Sequence, residues 1–112
     1  MEKVQRYADI TAAHIQDWKA RHGADGLSEV LVTIDDNTTA RFVICKPGRT
    51  VMDAVAQHGI SKNVAGSNKA LISNCVLGGD MELLEKDGGV YGEVLKHINA
   101  SISAYRTEVK KL

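Results

Sequence analysis

Tyr91, Leu95, Ile98, Ile102, Tyr105, Val109 and Leu112 follow one another in steps of four, three, four, three, four and three. That spacing puts all seven on one narrow stripe of a single helix. A stripe of this kind has to be covered, either by the rest of the chain or by another molecule. A free-standing coiled coil carries charged flanks that set partner and register. Here the flanking positions are Gly92, Val94, Asn99, Ser101, Arg106 and Glu108, which are mostly small and uncharged. Val94 beside Leu95 widens the stripe at its start, as in a helix that docks on a globular core. A helix over 90–111 is about 33 Å long, whereas a domain of this size is about 26–30 Å across. Tyr91 to Ile102 are therefore expected to close the core. Tyr105, Val109 and Leu112, with Ile102 at the junction, form the candidate protein interface. The competing expectation is that an N-terminal helix covers the whole stripe.

The 112 residues suit a single α+β domain, 1–112, with a modest core. Two β-rich segments, Glu29–Ile34 and Thr39–Cys45, flank the turn cluster Asp35-Asp36-Asn37-Thr38 and predict a hairpin over about 28–45. Val30, Val32 and Ile34 share one face, and Phe42 and Ile44 point opposite to Arg41 and Val43. Two strands are marginal alone, so the hairpin must lie on helices or pair its free edges with another chain.

Four helices are expected. The first, 4–21, carries Tyr7, Ile10, His14 or Ile15, and the lone Trp18 at helical spacing, stops at Gly23, and can be peripheral. The second, 51–58, is capped by Thr50 and ends at Gly59, with Ile60 folding back on Val55. The third, 63–77, is capped by Ser61 or Asn63 and turns Val64, Asn68, Leu71, Ile72 and Cys75 inward, with Gly78-Gly79 ending it. A short turn from Asp80, read as an N-cap, leads through Asp87-Gly88-Gly89 to the long helix 90–111.

Charge and motif searches point away from several functions. Lys plus Arg and Asp plus Glu both number 14, without the basic excess of a nucleic-acid binder. Arg106, Lys110 and Lys111 read as cations complementing a helix C-terminus. No apolar run of about 18 residues predicts a membrane span. The polar start of the chain and the cysteine pair Cys45 and Cys75 suggest a reducing cytoplasm. His14, His22, His58 and His97 form no ligand pair with metal spacing, so neither metal nor cofactor is expected. The glycines around Asp80 match neither a phosphate loop nor a dinucleotide fingerprint, and Leu84 and Tyr91 stand where a calcium loop needs oxygen ligands. A Cys75–His58 nucleophile pair is conceivable, although Cys75 on an apolar helix face reads as a small buried hydrophobe.

The order of elements has a counterpart. Phe42-Val43-Ile44-Cys45-Lys46-Pro47-Gly48-Arg49 ends the hairpin. Ala70-Leu71-Ile72-Ser73-Asn74-Cys75 precedes Gly79-Asp80, and Glu108-Val109-Lys110-Lys111-Leu112 closes the chain. Over residues 28–112 this resembles the small tail assembly chaperone-like proteins of phages and prophages. The resemblance implies a non-enzymatic role in the host cytoplasm: binding the long, aggregation-prone tape-measure protein before the tail tube polymerises around it, often as an oligomer. The alternative is an adaptor or regulatory subunit of another cytoplasmic complex.

Overall fold

A computed structural model describes residues 3–102 and 106–112. The elements run α1 (Ala12–His22), β1 (Leu27–Asp35), β2 (Thr38–Cys45), α2 (Arg49–Ile60), α3 (Val64–Cys75), β3 (Val76–Gly79), α4 (Met81–Lys86) and α5 (Gly88–Ile102), with a 3-10 turn at Tyr7–Asp9 before α1. The chain is α+β.

The hairpin forms in the expected register, with Val30 opposite Phe42 and Val32 opposite Ala40. Ala40, Phe42 and Ile44 are buried against Leu71 and Cys75 of α3, Leu84 of α4, and Val90, Val94 and Ile98 of α5. Val94, assigned to the flank by heptad spacing, lies at the centre of this face and is fully buried, whereas Tyr91 and Leu95 are half-buried. A rotation by one position separates a core-docking face from a coiled-coil seam.

The sheet has three strands in the order β1-β2-β3, all antiparallel. Val76–Gly79, read from sequence as the end of a helix, is the third strand. Helix α3 stops at Cys75, because Val76 to Gly79 can bury backbone beside β2 that a helix end would leave without partners. On the far edge of β3, Val4 makes a parallel bridge to Gly78. The Gly79 N–H donates to the Val4 carbonyl at 3.1 Å, and the Met81 N–H donates to the Gln5 carbonyl at 3.1 Å. The expected helix 4–21 is consequently broken. Val4 and Gln5 are used as strand, Ile10 is extended, and Thr11 starts α1 with a capping box, its hydroxyl accepting from the His14 N–H.

Helix α1 covers the sheet face opposite the main core. Trp18 is buried there, and a Cβ placed on Gly78 would come within 3.2 Å of its ring. Val43, the partner of Gly78, is buried on the same face.

Asp80 ties three segments together. Its carboxylate accepts from the Tyr7 N–H at 3.2 Å and the Arg41 N–H at 2.9 Å, while its own N–H donates to the Arg41 carbonyl at 3.0 Å. Asp80 is the N-cap of α4 as expected, but it caps through its carbonyl, which accepts from the Leu83 and Leu84 N–H groups, and its side chain makes no cap bond. Asp80→Ala leaves two backbone donors without their anionic partner. The loss is expected to be about 1–2 kcal/mol in urea unfolding, with Asp80→Asn recovering part of it.

Other helix ends also move. Gly48, not Thr50, is the N-cap of α2. Gly59 lies within that helix, and the reversal uses Lys62 at φ 58. The Asn63 N–H closes the turn on the His58 carbonyl at 2.7 Å. Ile60 is therefore exposed rather than folded onto Val55, and Val64 is exposed rather than inward. Asn63 caps α3 as expected, accepting from the Gly66 N–H at 2.9 Å.

Candidate functional site

The four candidate interface residues separate. Ile102 ends α5 and packs half-buried on the core. Tyr105 lies outside the described residues. Val109 and Leu112 are both exposed, in a segment, 106–112, that carries no helix. Of the expected helix 90–111, the described helical part is Gly88–Ile102, and 106–112 is not helical. Helical stability in a protein comes chiefly from burying a face, and Val90, Val94 and Ile98 are the residues of α5 that do so fully. Arg106, Lys110 and Lys111 accordingly occupy no last helical turn. Lys110 instead pairs with Glu108 at 3.7 Å on the surface, a contact of little energetic weight.

The two edges of the sheet differ. The chain's own Val4–Gln5 segment lies along β3. Along β1, among the described residues, no backbone group outside β2 forms a hydrogen bond. This outer strand, Leu27-Ser28-Glu29-Val30-Leu31-Val32-Thr33-Ile34-Asp35, contains no proline and no lysine, the residues that commonly blunt an edge. A register irregularity between Thr33 and Asp35 bends its last turnward residues, leaving Leu27–Thr33 regular. Leu31 is 52% exposed on the face away from the core, and Ile34 is exposed near the hairpin tip.

That outward face also has a polar anchor. The Tyr7 hydroxyl donates to Glu29 Oε1 at 3.0 Å, and this bond to a carboxylate raises the Tyr7 phenol above its usual pKa. The Arg41 guanidinium sits 5.5 Å from the centre of the Tyr7 ring. Glu29 is thereby held toward the N-terminal segment on the sheet face. Ile60 and Val64, on either side of the α2–α3 turn, make a second exposed apolar spot that periodicity had placed inside.

Residues considered for chemistry are distributed differently from the sequence expectation. The His58 ring is within 3.4 Å of the Asn63 amide at the start of α3. The His58 ring also lies beside Gly66, and Cys75 ends α3 nine positions further on, about 14 Å along the helix, so no Cys75–His58 pair is formed. Cys75 instead packs in the core that also holds Cys45 of β2, whose thiol donates to the carbonyl of Asn74 at 3.7 Å. Both thiols are free and buried. The neighbouring Cys75 thiol lowers the Cys45 thiol, while the neighbouring Cys45 thiol and burial push Cys75 well up. The Lys3 ammonium, itself lowered by burial, lies close enough to bias both and donates to the Val76 carbonyl.

Among the described residues, no group of three or more His, Cys, Asp or Glu is arranged to hold a metal ion, and no helix is long and apolar enough to cross a membrane. Among the cavities lined by described residues, two reach about 400 Å³. One, of about 400 Å³, opens between Lys3, Ile72, Met81, Leu84 and Tyr91. The other, of about 420 Å³, is lined by Arg21, His22, Cys45, Lys46, Pro47 and Val51 among others. No protein-family model matches the chain, and comparison with curated proteins and with solved structures finds no match.

Proposed function

We propose that this chain is a non-enzymatic protein-binding module that receives an extended segment of a partner along the outer edge of β1. The observation that carries the reading is the asymmetry of the sheet. The edge at β3 is covered by the chain's own N-terminal segment, and among the described residues the longer edge at β1 has no backbone partner outside β2. Strand addition to such an edge draws affinity from main-chain hydrogen bonds and specificity from alternate side chains. The partner class follows from the likeness to phage tail assembly chaperones: a long, aggregation-prone tape-measure protein, held until the tail tube forms around it.

The same edge suits a second copy. Antiparallel pairing of two β1 strands about Leu31 sets Leu31 against itself, Val30 against Val32 and Glu29 against Thr33, so no like charges meet. Val109 and Leu112 add exposed apolar contacts outside the helix.

The test is Leu31→Lys with Thr33→Lys, which blunts the edge without touching the buried face. The native chain is expected to exceed monomer mass in light scattering and to co-purify with a phage tape-measure protein co-expressed with it. The double variant should keep its circular dichroism and lose at least about tenfold in affinity, or about 1.4 kcal/mol. Val109→Glu with Leu112→Glu should lose less. A strictly monomeric native chain that leaves the tape-measure protein insoluble refutes the proposal. Edge-dependent self-association without tape-measure binding would favour the adaptor role.

A further inference from the structure

We propose that the outer edge of β3, with the cavity of about 400 Å³ beside it, is a docking site for an extended partner segment with large apolar residues at two alternate positions, and that residues 3–5 occupy it as a displaceable strap. This site is separate from the β1 edge and does not depend on the reading given for it.

The strap shows how an occupant sits. It runs parallel to β3, bridged at Val4 and Gly78, and the Val4 and Gln5 carbonyls accept from the Gly79 and Met81 N–H groups. These are main-chain bonds, which any extended segment can make. Side chains alternate along such a segment. Val4 is on the side of Trp18, since a Cβ on Gly78 would come within 3.0 Å of the Val4 Cβ and 3.2 Å of the Trp18 ring. Lys3 and Gln5 are on the other side and line the cavity, together with Ile72, Met81, Leu84 and Tyr91.

The strap matches that wall poorly. Ile72, Met81 and Tyr91 are only partly buried and, with Leu84, make an apolar surface; the exposed Ser73 and Glu85 complete the lining. Opposite this surface the strap places two polar side chains. The Lys3 ammonium turns to the Val76 carbonyl, and burial lowers its pKa, so its charged form is held there at a cost. The Gln5 amide folds back on the Lys3 carbonyl at 3.1 Å. An extended segment with leucine-sized residues at these two positions keeps the main-chain bonds of the strap and adds apolar burial, which favours it over the strap.

The exchange does not require unfolding. Tyr7 is held independently, its N–H donating to Asp80 and its hydroxyl to Glu29. Arg6, just before it, is extended at φ −132 and ψ 138. Residues 3–5 can therefore leave the edge while the chain from Tyr7 onward keeps its contacts.

The test titrates a dye-labelled peptide copying residues 1–6 with Lys3→Leu and Gln5→Leu, and its unsubstituted counterpart, against the full chain by fluorescence anisotropy. The substituted peptide is expected to bind at least about tenfold tighter than its counterpart. Amide shifts of the chain in nuclear magnetic resonance should centre on Gly79 and Met81. Lys3→Leu with Gln5→Leu in the full chain should tighten the strap, raising the melting temperature by about 4–8 °C and weakening peptide binding at least about tenfold. Val4→Asp, which sets a carboxylate beside Trp18, should release the strap and strengthen binding. The proposal is overturned if the two peptides bind alike or not at all, if the doubly substituted chain still takes the peptide, or if the amide shifts fall in β1 instead. The two peptides on the native chain decide the matter even where Val4→Asp does not fold.

Discussion

Gly79→Ala is expected to destabilise the chain by about 3 kcal/mol or more, read as a lower urea midpoint with an unchanged slope. Gly79 has φ +147, a backbone conformation that side-chain-bearing residues rarely adopt, and holding another residue there costs roughly 1–3 kcal/mol. Space is short as well. A Cβ at this position would lie 2.4 Å from the Arg41 carbonyl oxygen and 2.7 Å from the Phe42 Cα, backbone atoms of the central strand. Phe42 is fully buried and cannot turn away, so overpacking adds about 1–3 kcal/mol. Against a total stability of about 5–15 kcal/mol for an ordinary domain, much of the folded population is at stake. Gly59→Ala is the control. A Cβ there meets nothing within 4 Å in an exposed last turn of helix, and a gain of about 0.4–1 kcal/mol is expected from the stiffer unfolded chain.

Trp18→Ala should cost about 3–5 kcal/mol, the usual range for a buried tryptophan, measured by circular dichroism in urea. Trp18 is the one fully buried residue of α1, and it lies over Gly78 on the sheet face opposite the main core. Its loss also removes the His14 ring stacked at 5.7 Å from its platform. The damage should be uneven. Hydrogen exchange is expected to speed up in α1 and along β3, where Val4 and Gln5 bond, and far less in α5, whose buried face belongs to the other core. Trp18→Phe should recover part of the loss. Uniform acceleration across both layers would contradict the separation of the two cores.

The hairpin was legible because its β-branched runs and turn residues agree with the pairing they adopt. Trp18 was legible as an anchor because a lone indole at helical spacing has so much surface to bury. The third strand was hidden for the opposite reason. Val76-Leu77-Gly78-Gly79 is half glycine, which is depleted in strands, and its glycines serve close approaches to Val4, Trp18 and Phe42 that only the folded chain reveals. Asp80 caps the helix it precedes through its carbonyl, yet its carboxylate is taken by Tyr7 and Arg41, 73 and 39 residues away along the chain. At the candidate interface, periodicity continued through Val109 and Leu112, whereas 106–112 is not helical. The stripe correctly marked apolar residues in need of cover. Placing the more extensive open surface on β1 required knowing that Val4 and Gln5 had closed the other edge.

The bridge between Val4 and Gly78 also orders events in time. β1 and β2 are neighbours in sequence and can pair as soon as both exist, but the cover for the sheet's other side comes from residues made first and used last. Until Gly78 and Gly79 are laid against β2, the segment around Val4 has nothing to dock on, and non-local closure of this kind is slow. During synthesis the nascent hairpin therefore has both flanks bare, and the chain passes through a stage more adhesive than its finished form. Any partner present at that stage competes with β3 for the β2 flank, which makes the order of synthesis part of how this sheet is kept from pairing with its neighbours.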